Sequence, residues 1–277
     1  MSKTVQRATV IISVYKNAEA LRVVLDSLLH QTEKDFEIII SQDGNDSCIE
    51  SLCSSYSFRN EWSLITQQDL GWSKNSALNK SVKAAKGDWL IFIDADCVLH
   101  PRFVEYHLRL SGKNFIVAGK RVKLNSRLSC MLLESYRNIK LIERCLFKAL
   151  FSNHKDIGFI EEGFFINPNG ILGFIPRLRR MTNLKGCNMS FSKDAAYAIN
   201  GFDEDYRLSA IGEDIDLTWR FIQAGYKIVS ARNMAVQYHL NHKENWVSQE
   251  ENIRQMNEKR EKNIYFCKNG LVKSSIV

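Results

Sequence analysis

Trp89-Leu90-Ile91-Phe92-Ile93 is an unbroken apolar run that ends directly on Asp94-Ala95-Asp96. Delivered by Gly87-Asp88, it reads as a strand buried on both faces, the kind found inside parallel sheets. On extended backbone residues i and i+2 point the same way, so Asp94 and Asp96 are expected to share one face at the strand's C-terminal end. Two neighbouring carboxylates repel each other unless a cation or a proton joins them. Oxygen ligation of that kind suits Mg²⁺ or Mn²⁺, with substrate phosphates completing the shell. The same residues fit a plainer arrangement, an N-capping Asp and an exposed loop acid ahead of Pro101, so the stretch alone leaves both open.

The chain before it repeats one unit. Residues 8–14 form a short β-branched strand, Tyr15-Lys16-Asn17 turns, and residues 18–30 carry apolar side chains at 21, 24, 25, 28 and 29, a helical spacing. A second strand over 36–40 ends at Ser41-Gln42-Asp43-Gly44, followed by a helix near 47–56, a strand near 62–66 and a helix over 74–86. Such alternation predicts an α/β fold, a doubly wound and mostly parallel Rossmann-like sheet. Ligands of such sheets sit beyond the C-terminal strand ends, where Asp43 and the Asp94/Asp96 pair both fall.

At 277 residues the chain suffices for one large α/β domain or two small ones. Its apolar runs fall far short of the roughly 20 residues that cross a bilayer. The run at 9–14 is too short for a cleavable signal and leads into a polar loop. Seven cysteines without a CxxC pair predict reduced thiols and a cytoplasmic location rather than a disulfide frame or a zinc site. A net charge of +7 suits an anionic partner: nucleotide, membrane surface or nucleic acid. Lys and Arg are spread along the chain with no nucleic-acid motif, so no nucleic-acid partner is expected.

Thr9-Val10-Ile11-Ile12-Ser13-Val14-Tyr15-Lys16-Asn17, the block Leu28-Leu29-His30-Gln31-Thr32 before Phe36-Glu37-Ile38, and Ile93-Asp94-Ala95-Asp96 together resemble the nucleotide-binding half of glycosyltransferase family 2, with the GT-A fold. The resemblance implies donor contacts at Val14, Asp43, Lys74, Asp94 and Asp96. Asp43 would hold a uracil ring; the family's usual Asp-Asp pair is Gln42-Asp43 here. Asp96 would bind the divalent cation, Mn²⁺ or Mg²⁺, and Asp94 the ribose, with Asp94 a further candidate for the metal. Gly71-Trp72-Ser73-Lys74-Asn75 resembles the segment lining the donor diphosphate; Lys74 fits either a phosphate partner or a solvated residue in a helix's first turn.

Between residues 112 and 182 the family pattern fades. Residues 128–151 read as one long helix, and 158–173 as a loop rich in Phe and Gly, closed by Arg177, Arg179 and Arg180. This region fits ordinary core plus a loop, or an acceptor or membrane-facing surface whose aromatics and arginines meet anionic head groups.

The pattern returns at Lys185-Gly186-Cys187-Asn188-Met189-Ser190, Asn200-Gly201-Phe202-Asp203 and Gly212-Glu213-Asp214-Ile215-Asp216-Leu217-Thr218-Trp219. Here the chain is similar to the C-terminal half of β-1,4-galactosyltransferases and of bacterial chondroitin-type polymerases. That similarity implies Asp214 as general base, Glu213 on a donor or acceptor sugar, and acceptor contacts at Gly186, Asn188 and Trp219. By themselves two acids at a helix start fit dipole capping. The similarity also implies a metal-binding His at the end of a last strand over 234–240. His239 is preferred to His242 because it continues the strand, and imidazole beside carboxylate suits Mn²⁺ somewhat better than Mg²⁺. Beyond Trp246 the tail reads as a charged surface helix.

Together these readings give a nucleotide-sugar subdomain over 1–111, an acceptor and catalytic subdomain over 112–245, and a charged helical tail over 246–277. The expected reaction is inverting transfer from a UDP-sugar carrying Gal, GalNAc, Glc or GlcNAc to a hydroxyl of a glycan or lipid-linked acceptor, as in bacterial surface polysaccharide synthesis. The expected setting is the cytoplasm, with peripheral contact to anionic membrane. Two rivals are a non-catalytic nucleotide or membrane-surface binder on the same fold, and a sugar nucleotidyltransferase. The latter needs a Gly-rich loop after the first strand, where this chain has Tyr15-Lys16-Asn17-Ala18.

Overall fold

The computed structural model describes residues 7–152, 156–208, 211–243 and 248–273, with backbone alone at 211–213. Its first half alternates β1 (Ala8–Val14), α1 (Ala18–Leu29), β2 (Phe36–Gln42), α2 (Ser47–Ser54), β3 (Trp62–Ile65), α3 (Lys74–Ala84) and β4 (Trp89–Asp94). These strands pair in parallel in the order β3-β2-β1-β4. Val10, Ile12, Ile38, Ile40, Ile91 and Ile93 pack into one core, which takes in α1, while Ile11, Ile39, Leu90 and Phe92 pack into the other, which takes in the buried face of α3. Burial on both faces is the reason these strands read as continuous apolar runs. The winding direction reverses between β1 and β4, where Ser13 lies opposite Asp94. The C-terminal ends open a crevice there.

The second half extends the sheet and adds a small one. Its elements are β5 (Cys97–Leu99), α4 (Phe103–Arg109), β6 (Phe115–Ala118), β7 (Val122–Lys123), α5 (Ser126–Glu134), α6 (Ile139–Ala149), α7 (Phe174–Leu178), β8 (Met189–Ser192), α8 (Lys193–Ala198), α9 (Ile211–Gln223), β9 (Lys227–Ser230), β10 (Gln237–His239) and α10 (Glu250–Glu261). β8 inserts antiparallel between β4 and β6, and β9 closes the sheet parallel to β6. The second sheet runs β5-β10-β7, with β10 antiparallel to β5 and parallel to β7. The doubly wound, mostly parallel α/β architecture is therefore present, with one antiparallel strand inside the main sheet.

Three elements differ from the sequence reading. The expected helix over 128–151 is α5 and α6 separated by a 3₁₀ turn at Tyr136–Asn138. Ser135 is extended and its hydroxyl accepts from the Arg137 N–H at 3.2 Å. Tyr136 is buried, and its hydroxyl donates to the Leu99 carbonyl at 3.1 Å. Anchoring that ring breaks a helix that apolar spacing alone would continue. The strand expected over 234–240 is only β10, and it belongs to the small sheet.

The tail is also more than a charged surface helix. Asn252 and Met256 of α10 are buried, and Lys259 donates to Asp203 at 2.6 Å while lying over the Tyr206 ring. The segment after α10 folds back onto Asn200, which donates to the carbonyls of Cys267 and Val272 and accepts from the Val272 N–H. Gly270 is required here, since a Cβ would sit 1.8 Å from the Asn200 carbonyl oxygen. No helix among the described residues is long and apolar enough to cross a membrane.

Candidate active site

Asp96 is not the continuation of a strand, as expected from its i, i+2 spacing to Asp94, but lies in the two-residue turn between β4 and β5. The turn separates the two carboxylates and gives each its own partners. Antiparallel pairing of Cys97 with His239, followed by the Leu240 N–H donating to the Asp96 carbonyl at 2.9 Å, brings the end of β10 beside the turn. His239 Nε2 then lies 3.4 Å and His242 Nε2 3.1 Å from Asp96 Oδ2. The ligand atoms of Asp96, His239 and His242 all fall within 4.8 Å of one another. Burial opposes ionisation of Asp96, but hydrogen bonds from the two imidazoles outweigh it and hold its carboxyl well below the usual range. The Asp96 hydrogen bond in turn pushes His242 up to about 9, against partial burial. One carboxylate and two imidazoles at this spacing fit a divalent cation. His239 and His242 thus join Asp96 together, where the strand argument chose between them.

Asp94 faces the other way. Lys74, at the first residue of α3, donates to Asp94 Oδ1 at 2.9 Å, and Arg121 Nη1 lies 3.8 Å from Oδ2. Lys74 therefore meets a carboxylate of this chain rather than open solvent. This ion pair separates two cavities. The smaller, of about 180 Å³, is lined by Ser13, Tyr15, Asp43, Gly71, Trp72 and Lys74. Asp43 accepts from Gln67 Nε2 at 2.7 Å and from the Ser73 N–H at 2.9 Å. Each of its oxygens keeps a second lone pair, so the same carboxylate that ties down the 67–73 loop can accept from a ligand N–H. Val14 does not line this cavity. It is 2% exposed and packs with α1, because alternation turns Ser13 and Tyr15 outward and Val14 inward.

The larger cavity, of about 400 Å³, is lined by Asp94, Lys120, Arg121, Lys123, Phe159, Lys185, Gly186, Cys187 and Asp214. Asp214, in the first turn of α9, accepts from the Gly186 N–H at 2.6 Å and has Lys185 Nζ at 3.8 Å. Burial raises its pKa above the ordinary carboxylate value, resisted by Lys185 and the Gly186 N–H and assisted by the nearby charge of Asp94. A carboxylate poised in this way can take a proton from a weakly acidic hydroxyl.

Two expected acceptor contacts lie elsewhere. Asn188 is fully buried: it donates to the carbonyls of Lys120 and Ala235, and its Oδ1 accepts from His107 Nε2 at 3.1 Å. His107 is held neutral, its pKa pushed down to about 3 by burial, and its Nδ1 accepts from Ser190, which also accepts from Trp89 Nε1. Asn188 is thus a cross-link that positions the segment leading from Lys120 into β7, and Gly119 leaves it room, since a Cβ there would approach it to 2.4 Å. Trp219 lies under Arg260 of α10. Five residues along a helix from Asp214 is a rotation of about 140°, which turns it away from the cavity. The Glu213 side chain lies outside the described residues. Arg179, grouped by sequence with a lipid-facing surface, instead binds buried Glu162 at 3.0 Å together with Arg232. Sequence reading missed Arg121, Lys120 and Lys123, although a basic run directly after a strand end was the available signal. Phe159, in the loop read either as ordinary structure or as an acceptor or membrane-facing surface, lines the larger cavity.

Residues 9–156 match the family described as Glycosyl transferase family 2, and residues 177–243 match the N-terminal domain of galactosyltransferase. The chain is 22% identical to chondroitin synthase of Escherichia coli over 244 residues, covering 83% of this chain and 34% of that protein. It spans about a third or less of the length of the curated relatives it matches. Among solved structures it is similar to a mannosyltransferase from Pyrobaculum calidifontis in complex with GDP-Man and Mn²⁺, with a TM-score of 0.55 at 15% identity, covering 87% of this chain and 59% of that one. It is also similar to GalNAc-T7 with UDP, GalNAc and Mn²⁺, with a TM-score of 0.59 at 13% identity, covering 88% and 46%. At these identities the likeness establishes the fold, which is GT-A.

Proposed function

The chain belongs to glycosyl transferase family 2, and from that premise we propose that it transfers a hexosyl group from a UDP-sugar to a hydroxyl of a glycan or lipid-linked acceptor, with inversion at the anomeric carbon. The observation that carries this reading is the placement of Asp214, raised in pKa, on the same cavity as Asp94, one ion pair away from the cavity that Asp43 lines. The uracil ring occupies the smaller cavity, with Asp43 accepting from its N–H and Tyr15 and Trp72 as its aromatic walls. Asp94 fixes the ribose, with Lys74 beside the diphosphate. Asp214 accepts the proton of the acceptor hydroxyl as that oxygen bonds to the anomeric carbon and the bond to the diphosphate breaks. Glu213 hydrogen-bonds a sugar.

Asp96, His239 and His242 are the residues that would hold Mn²⁺ or Mg²⁺, which supplies positive charge against the leaving diphosphate. We further read the outer face of α6 as the surface that meets anionic membrane. Leu141 and Phe147 are exposed on it, and Phe151 just beyond its end, among Lys140, Arg144 and Lys148.

The test is release of UDP from a panel of UDP-hexoses and N-acetylhexosamines with Mn²⁺ and acceptor glycans, with mass analysis of the product. GDP-mannose belongs in the panel, given the similar structure bound to it. Transfer from a UDP-sugar with anomeric inversion is expected. Nucleotide binding without turnover of any donor would leave a binding protein on this fold, and release of GDP alone would overturn the uracil assignment.

A further inference from the structure

Gln67 stands in the loop between β3 and α3, behind the wall of the smaller cavity rather than on it. Its backbone N–H donates to the Gly44 carbonyl at 3.0 Å. Its side-chain Nε2 donates to Asp43 Oδ1 at 2.7 Å and to the Ser73 carbonyl at 3.1 Å, while its Oε1 accepts from Lys80 Nζ at 2.9 Å. These partners fix which way the amide faces. An ammonium only donates and a carbonyl only accepts, so a flipped amide would set its NH₂ against Lys80 and its oxygen against Ser73. Gln67 is therefore obliged to offer Asp43 a donor. The Ser73 N–H holds the other carboxylate oxygen, Oδ2, at 2.9 Å.

A carboxyl group turns easily about its last side-chain torsion, whose energy well is broad. Asp43 cannot turn without breaking one of these two bonds, so its remaining lone pairs keep fixed directions. Uracil presents a ring N–H at its N3; cytosine presents a lone pair at the same position, with an amine beside it. A carboxylate free to swing moves over to that amine, whereas a pinned one meets the ring lone pair and repels it. A site built around one hydrogen bond discriminates against the analogue that lacks the donor, because its own polar group is left unpaired. Resting on the reading of the smaller cavity as the uracil site, we propose that Gln67 is a positioning residue that sets the nucleobase selectivity of the donor. By pinning Asp43 it admits uracil and rejects cytosine. The same amide holds the Ser73 carbonyl at the start of α3, which keeps the base-recognising carboxylate in register with Lys74, the next residue.

The test is titration calorimetry on the full chain with Mn²⁺, using UDP and CDP as probes against wild type, Gln67→Met and Gln68→Met. Methionine keeps the length of glutamine and removes its donor. Wild type should prefer UDP. Gln67→Met should bind UDP about tenfold more weakly and CDP much as wild type does, so that the UDP-to-CDP ratio falls about tenfold. Gln68→Met, one residue along on the exposed part of the same loop, should keep the wild-type ratio. A wild-type ratio in Gln67→Met overturns the proposal. Equal weakening of both nucleotides, complete loss included, also overturns it, because Gln67 would then only hold the loop together. A fall of the same size in Gln68→Met does so too. Wild-type protein that does not prefer UDP to CDP strikes the uracil reading itself and the proposal with it, so the two failures are read from different proteins.

Discussion

Asp214 is held in a place that costs stability. Burial disfavours its charged form, so above the pKa of an unfolded carboxylate the fold bears a penalty that grows until the raised native pKa is passed. Asp214→Asn removes that charge while leaving an oxygen for the Gly186 N–H. The variant should lose turnover by two orders of magnitude or more, keep UDP and Mn²⁺ affinity, and melt on the order of 2 °C higher at pH 7. The thermal gain should vanish below about pH 4, where both forms are neutral. Full turnover in the variant would remove Asp214 as the base; equal melting at both pH values would remove the desolvation argument. His242 gives a second test. It must shed its proton to bind a metal, so Mn²⁺ affinity should rise with pH until about 9. His242→Ala should weaken Mn²⁺ by at least about tenfold at pH 8 and flatten that rise, whereas an unchanged dissociation constant would leave Asp96 and His239 alone at the site. The gathering of Asp43, Asp94 and Asp96 near the C-terminal strand ends was legible in sequence, because residue type coincided with strand ends, whereas Asp214 and His239 were legible only through the family resemblance. The roles of Asn188 and Trp219 were not, because a side chain's direction depends on what it packs against. The loop of Phe159 was legible as an aromatic one, but not its seat on the larger cavity, since the Gly158–Lys123 bridge that places it spans a separation no local pattern records.

Elements were legible where one force dictated them. β1, β2 and β4 are buried on both faces and announce themselves as apolar runs, and α1 follows its apolar spacing within one residue of the expected end. β10 was read too long, over 234–240 rather than Gln237–His239, because three residues paired across two other short strands carry no periodic signal to bound them. The break between α5 and α6 is a tertiary effect of the Tyr136 anchor, and it has a consequence for α6. Freed from α5, α6 buries Ile139, Ile142, Leu146 and Ala149 and turns Leu141, Phe147 and the following Phe151 outward among lysines and arginine. An amphipathic helix that also exposes apolar side chains among its cations fits the interface of an anionic bilayer. Phe147→Ser/Phe151→Ser should lower partitioning to vesicles containing anionic lipid by about tenfold, with less effect on UDP binding. Vesicle sedimentation checks this, and wild-type protein that stays in the supernatant at low salt would withdraw the membrane reading.

At the scale of the whole molecule, the C-terminal segment clamps the helix that carries Asp214, the proposed base. α9 begins near Asp214 and continues to Asp216 and Arg220, both fully buried and paired at 2.8 Å, with Arg220 also donating to the carbonyls of Ile199 and Gly201. α10 closes over this cluster, and Lys259 supplies the cation for fully buried Asp203. Asp203 titrates above the ordinary value because its burial outweighs the help of Lys259 and Arg220. Lys259→Met therefore leaves a buried carboxylate with less compensation, a loss of about 3 kcal/mol where the group stays charged. Protonation relieves that loss, so the sign with pH is fixed: the deficit in melting temperature should be largest near pH 8, about 6–10 °C, and should shrink as pH falls through the raised pKa. Mn²⁺ affinity should hardly change, because Asp96, His239 and His242 are assembled by the small β5-β10-β7 sheet. Turnover should fall as the α9 N-terminus loosens, and the fall should deepen with temperature ahead of global melting. A variant as stable and as active as wild type at pH 8 would show that α10 only covers α9, and that the base is held by Gly186 and Lys185 alone.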